Sequence, residues 1–290
     1  MSVIEILFYT AFLSQIFLLS FYFPRKIQNR MTQVMTDYPP AEYPRLYPKP
    51  IDYYSNSHRA YRIINQVIFI IGLMILSALF VWDYMSDGLV SPMIPWAYFM
   101  VQMMPLLYLE LSEFSCFKQM RKADLPTTRK AELIPRHLFD VVSPTLFTGA
   151  VLAYIAAIIF VLYINNFAFY WGSKALLTIL IFTAGNLFFA GIIFWNLYGK
   201  KLDPYQTGKD RIKLMKVTVK SLIYVSIGVS IFITITQAIN RYDMDILEPL
   251  MMSLFLQFIS LASIGERLQT LRIEEFDLEV YKNDAANQKP

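Results

Sequence analysis

Long apolar runs alternate with basic, polar stretches from one end of the chain to the other. A helix that crosses a bilayer needs roughly 20 apolar residues at 1.5 Å rise each. Seven runs meet that length, at about 3–23, 63–82, 90–110, 144–164, 175–198, 221–240 and 246–264. The pattern predicts an all-α, polytopic transmembrane helical bundle. The first run has Glu5 as its only early charge and no small-residue cleavage site, and it meets Phe23-Pro24-Arg25-Lys26, which reads as a stop. It is read as a retained helix and not as a signal peptide.

Composition narrows the class. Hydrophobic residues make up 56% of the 290 and charged residues 17%, with a mean hydropathy of +0.42. A soluble domain carries about a quarter charged residues. An ordinary soluble enzyme, a disordered chain and a secreted disulfide scaffold are excluded. The single Cys116 rules out an internal disulfide and a multi-cysteine metal site, and His58 and His137 add little for a metal. No metal or other cofactor is expected.

Charge placement gives an orientation. All but two of the 26 Lys and Arg fall in 24–62, 111–143, 199–220 and the segment after 264; the exceptions are Lys174 and Arg241. The other side carries Glu5, Asp83, Asp87, Asp243, Asp245 and Glu248. Inserting a central Lys or Arg costs roughly 2.5–3.5 kcal/mol, so basic loops stay cytoplasmic. Seven spans then put the N-terminus outside and the 265–290 tail in the cytoplasm. After the first helix the chain reads as three hairpins with short external turns.

The cytoplasmic segment 24–62 holds Tyr38-Pro39, Tyr43-Pro44 and Tyr47-Pro48. Proline fixes φ and pushes the preceding residue to extended geometry, so an extended or polyproline-like strap is expected. It either docks in a partner's aromatic groove or lies at the headgroups with its tyrosines as anchors. Lys209, Lys213, Lys216 and Lys220 are spaced 4, 3 and 4 apart, opposite Ile212, Met215 and Val219. That spacing predicts a helical extension of the sixth span with a lysine face toward anionic lipids, worth up to about 1 kcal/mol per lysine. In the tail, Phe276-Asp277-Leu278-Glu279-Val280-Tyr281 alternates with period 2 and reads as strand-like.

The spans contain no deep ionisable group; Glu110 and Glu113 sit near a cytoplasmic end, where Glu110 is expected to face Lys118 or Arg121. Gln15, Gln102, Asn186 and Gln257 each fall about halfway along an inward-running span, at a similar expected depth. Lipid cannot satisfy a carboxamide, so all four must face the bundle. Ser226, Ser230, Thr234 and Gln237 share a face of the sixth span, and Ser253, Gln257 and Ser260 a face of the seventh. Two readings stand: a ligand site formed by Gln15, Gln102, Asn186, Ser230 and Gln257, or interhelical hydrogen bonds that hold the bundle together. Pro105 lies well inside the third span and is expected to kink it.

No HExxH, Walker A or GxSxG signature is present, so no catalytic residue is assigned. The basic residues are accounted for by topology and do not suggest nucleic acid. The segments 38–50 and 135–144, Asp203-Pro204-Tyr205-Gln206 and 276–282 resemble stretches of uncharacterised bacterial polytopic inner-membrane proteins. That resemblance implies a multi-span inner-membrane protein and carries no activity. Three function classes follow. The foremost is a scaffold or assembly partner in a membrane complex. Next is a transporter or small-molecule- or lipid-binding bundle. The last is an enzyme working at the cytoplasmic face through Glu110, Asp140 and His137.

Overall fold

The computed structural model describes residues 2–85, 90–123 and 137–282. Asp87, the 124–126 lead-in, Arg129, Lys130, Arg136 and the 283–290 end lie outside them. The described residues are mostly helical, with no strand among them. Seven long helices follow one another: α1 Val3–Asp37, α2 Ile51–Met85, α3 Met93–Ala123, α4 Pro144–Ile164, α5 Lys174–Tyr198, α6 Gly208–Arg241 and α7 Asp245–Thr270. All but α3 are long and apolar enough to cross a membrane. Pro95, Tyr98, Gln102, Pro105 and Tyr108 dilute the hydropathy of α3.

Sequence-local chemistry starts these helices. Ser2 and Glu5 form a reciprocal capping box on α1, at 2.7 and 3.2 Å. Ser143, Ser173 and Thr207 cap α4, α5 and α6 through their hydroxyls.

Neighbouring helices alternate in direction. Tyr9 of α1 meets the Leu79 carbonyl of α2, while Tyr98 of α3 reaches both Ile68 and Ser20. Four helices, α1, α2, α3 and α7, share a core of Phe8, Phe12, Ile16, Ile68, Tyr98 and Leu250. The other three, α4, α5 and α6, share Ala150, Leu197, Met215, Val219 and Ile223, with Val142 just before α4 packed among them. α6 and α7 join the two lobes, with Phe232 and Phe255 stacked at 4.0 Å and Phe258 lying over Gly228.

Several expectations need correction. Helices run beyond the expected spans: α1 continues to Asp37, α2 begins at Ile51 and α3 reaches Ala123, while α6 starts at Gly208, the helical extension that the lysine spacing predicts. α1 runs on through Pro24. A π-helical turn at Leu18–Tyr22 precedes it, so the helix widens where the proline ring would otherwise meet the carbonyl four residues back. α3 runs from Met93 to Ala123 with Pro105 inside it.

The Tyr/Pro stretch is not a straight polyproline strap. Tyr38, Tyr43 and Tyr47 share nearly one backbone conformation, with φ of −128°, −120° and −119°, and between them the chain turns, with a 3-10 turn at Pro44–Leu46. The tail is not a strand either. It forms 3-10 turns at Ile273–Glu275 and Glu279–Tyr281, with the Tyr281 amide donating to the Leu278 carbonyl at 3.1 Å.

Candidate functional site

Two polar assemblies stand out. The first is inside the four-helix lobe. Gln15 is fully buried, and its amide donates to Gln102 Oε1 and the Pro95 carbonyl, each at 3.2 Å. Its oxygen accepts from Ser253 at 2.8 Å. Gln102 donates to Ser20 at 2.9 Å, and Ser20 shares a hydrogen with the Tyr98 hydroxyl at 3.2 Å. Gln257 accepts from Ser14 at 2.8 Å and donates to the Ala11 carbonyl at 3.0 Å. The network ties α1 to α3 and α7. Gln15 has donors and acceptor all engaged with protein, the arrangement that offsets burial of a carboxamide.

Asn186 and Ser230 are not part of it. Asn186 of α5 accepts from Ser226 of α6 at 2.5 Å, in the other lobe. Ser230 is buried and donates to the Ser226 carbonyl of its own helix at 2.9 Å. The five residues of the candidate ligand site therefore fall into two separate places. Similar depth along parallel helices does not fix the direction in which a side chain points.

The second assembly is the end of the bundle where the lysines gather. Thr207 and Asp210 form a box at the start of α6: Thr207 Oγ1 accepts from the Asp210 amide at 3.2 Å and donates to its carboxylate at 2.8 Å. Asp203 holds the Tyr205 amide at 2.9 Å. Both aspartates are buried, and the tail supplies further partners. The Tyr281 hydroxyl donates to Asp203, and the Asp277 amide donates to Asp210 at 3.2 Å. Burial above all, then the Asp203 carboxylate, pushes the Tyr281 phenol well above its ordinary range.

More contacts fasten the tail. Gln33 donates to Glu274 at 3.0 Å, Tyr43 donates to Glu279 at 3.2 Å and Arg30 reaches the Leu268 carbonyl. Lys282 lies 5.1 Å from the Tyr43 ring and pairs with Glu279 at 2.7 Å. The Lys282 ammonium, first among several causes, holds the Glu279 carboxyl below the usual carboxylate range. Tyr43 itself is buried and stands edge-on to Tyr38.

The lysine face of α6 is divided. Lys213 pairs with Glu275 at 3.2 Å and Lys220 with Glu266 at 2.8 Å. Lys209 and Lys216 are exposed. Glu110 pairs with Arg267 of α7 at 3.3 Å, in place of the expected Lys118 or Arg121, and Arg121 turns instead to the Lys201 carbonyl. His137 and Asp140 are exposed, and no described contact brings either to Glu110. Cys116 is buried, with its sulfur 3.7 Å from the Tyr54 hydroxyl, an environment unlike that of an accessible nucleophile. Among the described residues no group of three His, Cys, Asp or Glu side chains is arranged to hold a metal ion.

Sequence reasoning missed Asp203, Asp210, Tyr281 and Tyr98. A signal existed for Asp210: Thr207 followed three residues later by an acid is a helix-start signature. Asp203 before a proline is a turn signature, but nothing local points from it to Tyr281. No family model, curated protein or solved structure matches this chain.

Proposed function

We propose that this chain is a non-enzymatic scaffold of a bacterial inner-membrane complex. In this reading seven helices cross the bilayer with the N-terminus outside, α3 being the least apolar crossing. The lysine-rich end then lies in the cytoplasm, and the ordered segments there offer a platform to a membrane-protein partner.

One observation carries the reading. Gln15, Gln102, Ser253, Ser20 and Tyr98 in the four-helix interior bond to one another, while the basic end is assembled from distant parts of the chain. A bundle built for transport needs polar groups left over for cargo. Gln15 has none, which favours its role in holding helices together. At the basic end, buried carboxylates and tyrosines fix a tail that would otherwise be free. Fixing a tail costs conformational entropy, and a preformed surface lowers the cost of binding later. Lys209 and Lys216 are available to anionic headgroups beside that platform.

A second reading has its own support. Two π-helical turns, at Leu18–Tyr22 and Leu261–Gly265, flank the carboxamide network in α1 and α7. Such turns often mark functional positions, and a small-molecule- or lipid-binding bundle would use them.

Native mass spectrometry of the protein extracted in mild detergent separates the two. The scaffold reading expects a stoichiometric protein complex that Tyr281→Phe weakens without altering the melting temperature of the bundle. A protein that comes out alone, and whose melting is raised by a small molecule only while Gln15 is intact, overturns it.

A further inference from the structure

The connection between α4 and α5, 165–173, lies at the end of the bundle opposite the lysines. Its sequence is Asn165-Asn166-Phe167-Ala168-Phe169-Tyr170-Trp171-Gly172-Ser173, with no charge before Lys174. Four aromatic rings stand out from it: Phe167, Phe169, Tyr170 and Trp171 are all well exposed, Trp171 at 90%. A polar connection would place such rings inward or not carry them at all.

The first half of the backbone is closed although the rings are open. α4 ends in a Schellman-type cap: the Phe167 amide donates to the Leu162 carbonyl at 2.8 Å and the Asn166 amide to the Tyr163 carbonyl at 3.0 Å. Every backbone N–H from Asn165 through Phe169 is bonded within the connection or to the last turn of α4. The Asn165 amide side chain bonds the Val161 carbonyl at 2.8 Å. The 165–169 stretch can leave bulk water without stranding its amides, the requirement that excludes irregular chain from lipid, and the amides of Tyr170, Trp171 and Gly172 are left to the polar side of an interface.

The conformation is also costly. Asn166 at φ 53° is a common cap residue, but Phe167 at φ 56° is a bulky side chain in the left-handed region. That costs roughly 1–2 kcal/mol. The turn it makes leaves the rings facing outward. The hairpin they cap has little protein around it, since only 11% of the α4 crossing and 6% of the α5 crossing are buried inside the protein.

We propose that Phe167–Trp171 is a membrane-interface anchor whose rings lie at the boundary between headgroups and acyl chains of the outer leaflet. The phenol of Tyr170 and the indole N–H of Trp171 meet the ester and phosphate oxygens of the phospholipids. The ring bodies take the apolar side. Lys174 reaches the phosphates from the start of α5. The anchor sets the depth of a hairpin that the rest of the protein holds on one side only. This inference rests on the reading of α4 and α5 as membrane crossings.

Fluorescence in phosphatidylcholine vesicles tests it. One variant keeps only Trp171, with Trp82, Trp96 and Trp195 changed to Phe; a second keeps only Trp195, on the exposed side of α5. Lipids brominated at shallow and deep acyl positions are compared with aqueous iodide. The anchor requires that Trp171 be quenched most by the shallow bromines and be shielded from iodide. Iodide quenching of Trp171 with no effect of bromine, while Trp195 is quenched by bromine, overturns the anchor and leaves the membrane reading standing. No bromine quenching of either tryptophan overturns both.

Discussion

The hydroxyl of Tyr98 occupies the space that a side chain on Gly72 would need. A Cβ at residue 72 would lie 2.1 Å from the Tyr98 oxygen and 2.6 Å from its Cζ. The same hydroxyl donates to the Ile68 carbonyl at 2.9 Å, one turn earlier in α2. The glycine thus lets α3 carry a polar tip to the α2 backbone and to Ser20 of α1. Small residues admit this close approach in membrane bundles, where no hydrophobic force drives helices together.

Gly72→Ala should therefore destabilise the four-helix lobe by about 1–3 kcal/mol, the usual cost of overpacking a fixed core. The Tyr98 ring is buried and bonded on two sides, so it has little room to retreat. Tyr98→Leu should cost a similar amount by removing one of the two partners of Ser20 and leaving a gap. The double variant should cost clearly less than the sum, because both changes act on one contact. Thermal melting in detergent with the three variants reads the outcome; strict additivity would show that the contact does not matter.

Removal of carboxamides should separate the two lobes. Gln15→Leu deprives Ser253, Gln102 and the Pro95 carbonyl of a partner and should cost about 1–3 kcal/mol. Asn186→Leu leaves Ser226 free to turn to its own helix and should cost near the roughly 0.6 kcal/mol average for bonds in membrane bundles. The two residues share no partner, so the double variant should be additive within about 0.5 kcal/mol. Strong coupling between them would mean that the polar groups form one site after all.

This division shows what the sequence made legible. Long apolar runs made the all-helical character legible, because only helix satisfies the backbone in lipid, and six of the described helices are long and apolar enough to cross a membrane. Gln15, Gln102 and Gln257 were identifiable because a carboxamide in an apolar run has nowhere to go but inward. Asn186 was grouped with them because depth can be counted along a helix while azimuth depends on packing. The continuation of α1 through Pro24 was not legible, because the π turn that accommodates the proline has no sequence signature. Asp203 and Tyr281 are 78 residues apart, and each looks unremarkable until the tail folds back.

Alkali should release the tail through Tyr281. In the folded protein its phenol is buried against Asp203, and its pKa is raised from the ordinary 10.0. A group raised in this way contributes stability that is fully present below pH 10.0 and lost as pH climbs toward the folded value. A spin label at residue 282 (Lys282→Cys in a Cys116→Ser background) should gain mobility as pH is raised above about 10, the ordinary tyrosine value. In Tyr281→Phe the label should already be more mobile at neutral pH and should lose that alkaline step. An unchanged step in the variant would assign the release to another group.

Within the lysine face, position should decide effect. Lys213 and Lys220 hold the end of the chain through Glu275 and Glu266, whereas Lys209 and Lys216 face outward. Changing Lys209 and Lys216 to Gln should weaken stabilisation by phosphatidylglycerol relative to phosphatidylcholine, by up to about 1 kcal/mol per lysine, or roughly fivefold in lipid affinity each. Lys213→Gln should instead loosen the tail and leave the lipid preference nearly intact, because Glu275 already neutralises that charge. Added salt should erode the first effect strongly, since exposed charges are screened beyond about 8 Å at physiological ionic strength. Thermal shifts in nanodiscs of the two lipids, with and without salt, check both. Equal loss of lipid preference from Lys213→Gln would mean that the acidic tail does not compete with lipid for the stripe.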